Sequence, residues 1–278
     1  MEKCSRAAGP QFFLPHDAIR RPDSTTTQTR VVFDGSSKSQ GQLSINEVLF
    51  TGPTVQPALL AVVVNFRMPK FVFNADAEKM FRQDSLLALR IYQLKTVTYG
   101  LASSPYQAAR VLNKLAEDDG NNYPLAAPIV TKRFYVDDVL AGGDHLEEVA
   151  EACRQLQQLL ARGGFTLRKW SANDAKVLQH TPCELWGTST QTEIGRNTVT
   201  KALGLLWNPT TDQSGFQVPM FKDIDVVTKR IVVSEMSQLF DPLGLLGPVI
   251  ISARIFVQGV WANLGVTWDE ELPETESC

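Results

Sequence analysis

The sequence predicts an α+β fold in which a small antiparallel sheet carries helices on one face. Lys70 to Asp76 reads as a strand that ends in an acid. Ile129 to Ala141 reads as a hairpin, with two apolar strands and two acids between them. Apolar residues at helical spacing lie on either side of this hairpin. The resulting order of strand, helix, hairpin, helix and strand suits one sheet with helices packed on it.

The first 69 residues predict less regular structure. Residues 22–42 are rich in Ser, Thr and Gly around one short strand, Arg30 to Phe33, so little core is expected there. From Asn46 onward, apolar residues predict a buried helix that is interrupted at Gly52-Pro53 and ends near Pro69.

Two helices are predicted around the hairpin. The first begins with Ser104 as its N-cap and Pro105 at the first helical position. The second begins with a capping-box-like pair, Asp144 and Glu147, and ends at a Gly-Gly pair. Its predicted apolar face consists of Val149, Ala150, Cys153, Leu156, Leu159 and Leu160.

The remaining elements follow the second helix. Phe165 to Trp170 predicts a closing strand, and residues 203–218 predict two short strands around a turn. Residues 231–264 have helical periodicity that is broken at Asp241-Pro242 and Gly247-Pro248. The acidic C-terminal end is expected to fray.

Composition favours an ordinary globular protein, with 44% apolar and 21% charged residues over 278 positions. No apolar run approaches 18 residues and the N-terminus lacks a secretory signal, so we expect an intracellular protein, cytoplasmic or nuclear, with no membrane partner. Four widely spaced cysteines indicate neither a zinc site nor a disulfide framework. The net charge of −3 leaves room only for a local nucleic-acid-binding stripe, at pairs such as Lys132-Arg133, Arg168-Lys169 and Lys229-Arg230.

Three acids are candidate catalytic residues. Asp137 and Asp138 lie at the tip of the predicted hairpin, and Asp76 lies at the end of a predicted strand. Hard divalent cations prefer oxygen ligands, and two such ions close together support phosphoryl transfer. Asp76, Asp137 and Asp138 are therefore candidate ligands for two Mg²⁺ or Mn²⁺ ions. The alternative is that the Asp-Asp pair only turns the hairpin.

Several segments resemble motifs of reverse transcriptases. FYVDDVLAG matches the Y-x-D-D signature, FNADAEKMF resembles the first palm motif, and TYGLASSPY resembles the second. TRVVFDGSSKS resembles a finger strand, while GGFTLRKW and LGLLWNP resemble the closing palm strand and the primer-grip hairpin. Together with QLFDPLGLLGPV, these segments are similar in sequence to Bel/Pao retrotransposon polyproteins, and the similarity extends over residues 16–272.

The resemblance implies roles for individual residues. Arg30 would contact the triphosphate of the incoming nucleotide, and Phe81 would lie beneath its sugar and exclude a 2′-hydroxyl. Gly100 and Ser104 would lie along the template and nucleotide, and Tyr135 of the Y-x-D-D motif would also bind substrate. The implied activity is that of an RNA-directed DNA polymerase that binds RNA or DNA template-primer and deoxynucleotides.

The same resemblance implies a domain order. Residues 1–69 would be partial fingers, 70–200 a palm with the YVDD hairpin, 201–230 a primer-grip-like hairpin and 231–278 the start of a thumb or connection. Protease, ribonuclease H and integrase portions are expected to be absent.

The chain also departs from the family pattern, which leaves a second function open. Only 24 positions separate Asp76 from Gly100, where family members carry a further strand-bearing stretch. A catalytically inactive retroelement remnant, at most a weak nucleic-acid-binding module, is the alternative. A hydrolase ranks third, because the sequence lacks H-E-x-x-H, D-[ST]-G and G-x-S-x-G.

Overall fold

The computed structural model describes residues 2–3, 12–20, 29–38, 41–78, 92–93, 97–187, 199–216, 226–238, 241, 243–263, 265 and 267–273. The chain divides into two compact units, Met1–Gln191 and Thr192–Cys278, and each is described by itself. Within the described residues, no helix has the length and apolar character needed to cross a membrane.

The two units contain the following elements. The strands of the first unit are β1 (Glu2–Lys3), β2 (His16–Arg20), β3 (Thr29–Phe33), β4 (Phe71–Glu78), β5 (Tyr92–Gln93), β6 (Phe134–Tyr135), β7 (Asp138–Gly143) and β8 (Thr166–Ala172). Its helices are α1 (Ile45–Val48), α2 (Leu59–Arg67), α3 (Ser104–Asp119), α4 (Ala126–Lys132) and α5 (Leu146–Arg162). The second unit contains β9 (Thr200–Ala202), β10 (Leu205–Asn208), β11 (Gln213–Gly215), α6 (Lys229–Ser237) and α7 (Gly247–Asn263).

A four-stranded antiparallel sheet forms the centre of the first unit. Its strand order is β6-β7-β4-β8, so β4 lies between β7 and β8. The register of β4 with β7 runs from Phe71 opposite Gly143 to Asp76 opposite Asp138. β4 continues to Glu78, two residues beyond the predicted end at Asp76. The predicted α+β class with an antiparallel sheet is confirmed.

One face of this sheet forms the main core together with the helices. Phe73, Ala75 and Ala77 alternate along β4 and are buried, as the two-residue period of a strand requires. They pack with residues of α3, α4 and α5 in one cluster. The predicted apolar face of α5 is buried at every position, and the helix is capped at Gly163 as expected. Helices α3, α4 and α5 therefore pack against one face of the sheet that carries the acids.

The predicted strand at Ile129–Lys132 is wrong, because these residues belong to helix α4. Ile129, Val130 and Thr131 are β-branched and favour strands locally. However, Ala126 and Val130 lie four residues apart, and both are buried in the main core. Burial of one helical face has overridden local propensity here, and β6 is confined to Phe134–Tyr135.

Both predicted helix starts also need correction. α3 starts at Ser104, with Ser103 as its N-cap and Pro105 at the second helical position. The N-cap of α5 is His145, because the carboxylate of Asp144 accepts a hydrogen bond from the backbone N–H of Lys70 at 3.1 Å. The N-cap lies one residue before the predicted position in α3 and one residue after it in α5, and in both cases the predicted capping side chain makes a different hydrogen bond.

The N-terminal expectations are confirmed only in part. Val62, Val63 and Phe66 of α2 are buried, whereas Leu60 and Val64 are more than half exposed, so the predicted buried helix is buried along one side only. β3 was expected to contribute little core, yet it pairs with β2 and buries Val31 and Phe33.

The second unit combines a short sheet with two helices. β10 pairs with both β9 and β11, which confirms the predicted hairpin and adds one strand. Gly247 and Pro248 start α7 instead of breaking it, since proline is tolerated in the first turn. The predicted fraying is wrong as far as Leu272, whose buried side chain and bond to the Val227 carbonyl at 2.9 Å anchor the tail.

The pKa of Glu47 in α1 gives a testable pH dependence. Lys38 donates a hydrogen bond to its carboxylate at 2.6 Å, and the backbone N–H of Ser44 donates another at 2.8 Å. These bonds lower the pKa of Glu47 from 4.5 to about 2. Because the folded pKa is depressed, the contacts stabilise α1 fully above about pH 4.5 and are lost as the pH falls through about 2.

We expect the Glu47 carboxyl carbon resonance to titrate with a midpoint of about 2. Lys38→Met should move this midpoint upward, because the largest cause of the shift is then removed. A midpoint near 4.5 in the unaltered chain would contradict the Lys38–Glu47 pair.

Candidate functional site

A tight hairpin between β6 and β7 presents Asp137 and Asp138. Tyr135 and Asp138 are paired across the two strands, so Val136 and Asp137 form a two-residue turn. Val136 has φ +56°, which is unusual for a β-branched residue but matches the turns that connect two strands so tightly. Its backbone N–H donates to Oε1 of Gln56 at 3.2 Å. Gln56 thus holds a strained turn that carries an acid.

Asp76 lies beside this hairpin in the sheet. Asp76 of β4 is paired with Asp138 of β7, and the backbone N–H of Ala77 donates to the Asp137 carbonyl at 2.8 Å. Residues opposite each other in antiparallel strands place their side chains on the same face, with Cβ atoms about 5 Å apart. The register therefore brings Asp76 next to Asp138, and Asp137 occupies the adjoining turn.

The carboxylate of Asp76 forms an ion pair with the ammonium of Lys169 on β8. The Asp76 side chain is 23% exposed and that of Lys169 is 69% exposed, so the pair lies at the surface of the sheet. On the same two strands, Arg168 forms an ion pair with Glu78. Among the described residues, no group of three or more His, Cys, Asp or Glu side chains is arranged to hold a metal ion.

Lys169 reaches Asp76 because β8 contains a bulge. Asn74 is paired with Ser171 but Asp76 is paired with Arg168, so β8 has one extra residue over this interval. Lys169 within it has φ +56°. The extra residue also lets Leu167 and Trp170, three positions apart, both enter the main core. The sequence analysis named Lys169 only as part of a basic pair and did not predict its contact with Asp76. The spacing of Leu167 and Trp170, two core residues three positions apart in a predicted strand, was a signal of the bulge.

Gly100 lies in close contact with the end of β3, and Ser104 is the first residue of α3. Gly100 has φ +87°, and a Cβ there would lie 2.1 Å from the Phe33 carbonyl oxygen. Ser104 is buried and its hydroxyl donates to the Thr98 carbonyl. Both residues thus shape the turn before α3, and their predicted contact with substrate stays a prediction.

Asn46 joins the parts of this turn and was missed by the sequence analysis. Its Nδ2 donates to the Gly100 carbonyl at 3.0 Å and to Ser36 Oγ at 3.0 Å, while its Oδ1 accepts from the Ala102 N–H at 2.8 Å. No local pattern distinguishes this asparagine, because its partners lie up to 56 residues away.

The structure describes the other three predicted substrate-binding residues to different extents. Tyr135 is half-buried on β6, next to the acidic turn. The backbone of Arg30 lies on β3 opposite Ile19. The Arg30 side chain and the whole of Phe81 lie outside the described residues.

Two of the paired basic segments do not form a free basic stripe. Arg168 and Lys169 are both in ion pairs with acids of β4. Arg230 forms a two-bond ion pair with Asp269, at 2.6 and 2.9 Å, and Lys229 lies over the ring of Trp261 at 5.2 Å. Their charges are balanced or covered locally.

Known proteins resemble this chain in two ways: one segment matches a protein family in sequence, and most of the chain matches solved structures in fold. A family model described as Pao retrotransposon-like RNaseH-like domain matches residues 228–277. A solved foamy viral protease-reverse transcriptase in complex with double-stranded DNA is 13% identical at a TM-score of 0.55, over 95% of this chain and 41% of that chain. The same viral enzyme in complex with an RNA/DNA hybrid gives 11% identity and a TM-score of 0.55, over 95% and 32%. No curated protein sequence matches significantly.

Residues 228–277 thus resemble the Pao retrotransposon family, and this match confirms the resemblance to Bel/Pao retrotransposon polyproteins that the sequence motifs predict. This chain spans 41% and 32% of the two solved viral chains. At 11–13% identity this likeness shows the fold alone.

The family match lies within the second unit of the chain. The matching family is described as RNaseH-like, whereas the sequence analysis assigned residues 231–278 to the start of a thumb or connection. The described part of the matched segment contains α6, α7 and an isolated bridge between Thr228 and Glu271. An RNaseH-like domain and a thumb or connection are different assignments for this segment, so its role stays a prediction.

Proposed function

We propose that this chain carries the catalytic core of an RNA-directed DNA polymerase. The observation that supports the proposal is the register of β4 and β7, which pairs Asp76 with Asp138 beside the turn that contains Asp137. Asp76 is distant in the sequence from Asp137 and Asp138, and the sheet register places it opposite Asp138. The likeness in fold to viral reverse transcriptases agrees with this proposal.

The donor set fits hard divalent cations. Carboxylate oxygens are what Mg²⁺ and Mn²⁺ prefer, and Asp76, Asp137 and Asp138 would hold two such ions. When bound, the ions would promote attack of a primer 3′-hydroxyl on the α-phosphate of a deoxynucleotide and neutralise the departing pyrophosphate. The contribution of the chain itself is positioning. Gln56 holds the strained turn, and the core behind β4 and β7 fixes the strand register.

The family resemblance implies which residues would position the substrate. Tyr135 precedes the acidic turn, and the segment from Gly100 to Ser104 would face the template and nucleotide. Arg30 would bind the triphosphate, and Phe81 would select deoxynucleotides. Template-primer and deoxynucleotides are thus the proposed partners.

A catalytically inactive retroelement remnant is the second candidate. Two observations favour it. The interval between Asp76 and Gly100 is short, and the carboxylate of Asp76 is engaged by Lys169. Phosphoryl transfer depends on positioning, and a misplacement of about 1 Å can lower the rate on the order of 10²-fold. Such a chain could retain its fold without activity.

Primer extension on an RNA template with deoxynucleotides and Mg²⁺ distinguishes the two functions. We expect extension by the full chain and a loss of at least about 10²-fold in the Asp137→Ala, Asp138→Ala double variant. Asp118→Ala is the matched control, because this exposed carboxylate on α3 pairs only with Lys114 among the contacts described. Absence of extension by folded, unaltered protein would support the remnant instead.

A further inference from the structure

Lys169 occupies an unusual backbone position for a lysine. It lies inside β8, has φ +56°, and belongs to the interval in which β8 has one more residue than β4. Lysine gains nothing from the left-handed region, where glycine and asparagine are far more common. A bulge of this kind re-aims side chains, and here the ammonium is directed onto the carboxylate of Asp76.

Two acidic side chains of β4 form ion pairs with two basic side chains of β8. Asp76 and Glu78 are 23% and 18% exposed, and they pair with Lys169 and Arg168 respectively. Asp138 is paired with Asp76 in the sheet register. The ammonium of Lys169 thus lies at the carboxylate that the proposed function assigns to metal binding, which marks this position as one that favours a cation.

We infer that Lys169 is a built-in counter-ion that occupies the cation position at Asp76 and competes with a divalent ion for that carboxylate. The inference rests on the proposed function, because it takes Asp76 as a metal ligand. Binding of the ion requires the Lys169 side chain to move away, and its exposure of 69% leaves it room to do so. Lys169 is a positioning residue in this scheme and sets the metal affinity of the site.

Removal of the ammonium should therefore strengthen metal binding. Lys169→Met keeps the length of the side chain without its charge. Lys169→Asn also removes the charge and suits the positive φ, so it tests the inference even if the methionine variant folds poorly. We expect either variant to bind Mn²⁺ about threefold to tenfold more tightly than the unaltered chain, since one competing charge is lost.

The measurement is Mn²⁺ binding to the full chain, followed by electron paramagnetic resonance of the free ion. Lys176→Met is the matched control, because it removes the same charge from an exposed lysine of the turn at Ala175–Leu178. This control should bind Mn²⁺ with the affinity of the unaltered chain. Asp76→Asn, made in each background, identifies the part of the binding that depends on the proposed site. Thermal unfolding of each variant establishes that it is folded.

The outcomes separate the inference from the proposed function. Tighter binding in both Lys169 variants that is lost with Asp76→Asn supports the inference. Binding that depends on Asp76 but is unchanged or weaker in the Lys169 variants overturns the counter-ion role and leaves the proposed function intact. Absence of any Asp76-dependent binding, in the unaltered chain and in both Lys169 variants, overturns both.

Discussion

Gly100→Ala is expected to lower the free energy of unfolding of the first unit by about 3 kcal/mol or more. Two effects add. A non-glycine residue at φ +87° costs roughly 1–2 kcal/mol. The new Cβ would also lie 2.1 Å from the Phe33 carbonyl oxygen, which forces the backbone apart at a further cost of about 1–3 kcal/mol. Urea denaturation of the full chain measures the loss.

Gly164→Ala is the control that separates these two effects. Gly164 has φ +76°, but a Cβ there would meet nothing within 4 Å. Its substitution should cost only the backbone term of roughly 1–2 kcal/mol. Equal losses in the two variants would show that the close approach of Gly100 to β3 does not exist in solution.

Leu156→Ala is expected to destabilise the first unit by about 3 kcal/mol. Leu156 is fully buried on α5, within the cluster that packs against the sheet. Its truncation removes buried apolar surface and leaves a cavity, changes that together cost about 2–5 kcal/mol in protein cores. The same urea experiment measures the effect.

Leu60→Ala is the matched control for this core substitution. Leu60 lies on α2 and is 56% exposed, so the same atoms are removed from a largely solvated position. A loss below about 1 kcal/mol is expected. A similar loss in both variants would mean that α5 does not form the principal helical face of the core.

The two substitutions connect stability with the candidate site. α5 packs behind the sheet whose register pairs Asp76 with Asp138, and the contact of Gly100 with β3 positions the turn before α3. Leu156 has no assigned role in substrate binding, so its loss is expected to reduce activity through the folded population. Gly100 belongs to the segment proposed to face the template and nucleotide, so its loss is expected to affect both stability and substrate binding. The Asp137→Ala, Asp138→Ala variant instead removes ligands from a folded scaffold.

Sequence alone determined the features that depend on local periodicity. The buried face of α5, the strand from Phe71 and the acidic hairpin turn at Asp137 were all predicted, because apolar spacing and turn chemistry act over a few residues. The motifs and their order also predicted the resemblance to Bel/Pao retrotransposon polyproteins.

Only the tertiary structure decided the features that depend on distant partners. α4 formed in place of a strand because Ala126 and Val130 pack in the core. Asn46 and Gln56 were assigned only once their partners, 54 and 80 residues away, were in place. The ion pair of Lys169 with Asp76 depends on a bulge that single-strand patterns do not locate. The physical reason is that sheet register and long-range hydrogen bonds are selected by packing of the whole unit, whereas periodicity reports only which face of one element is buried.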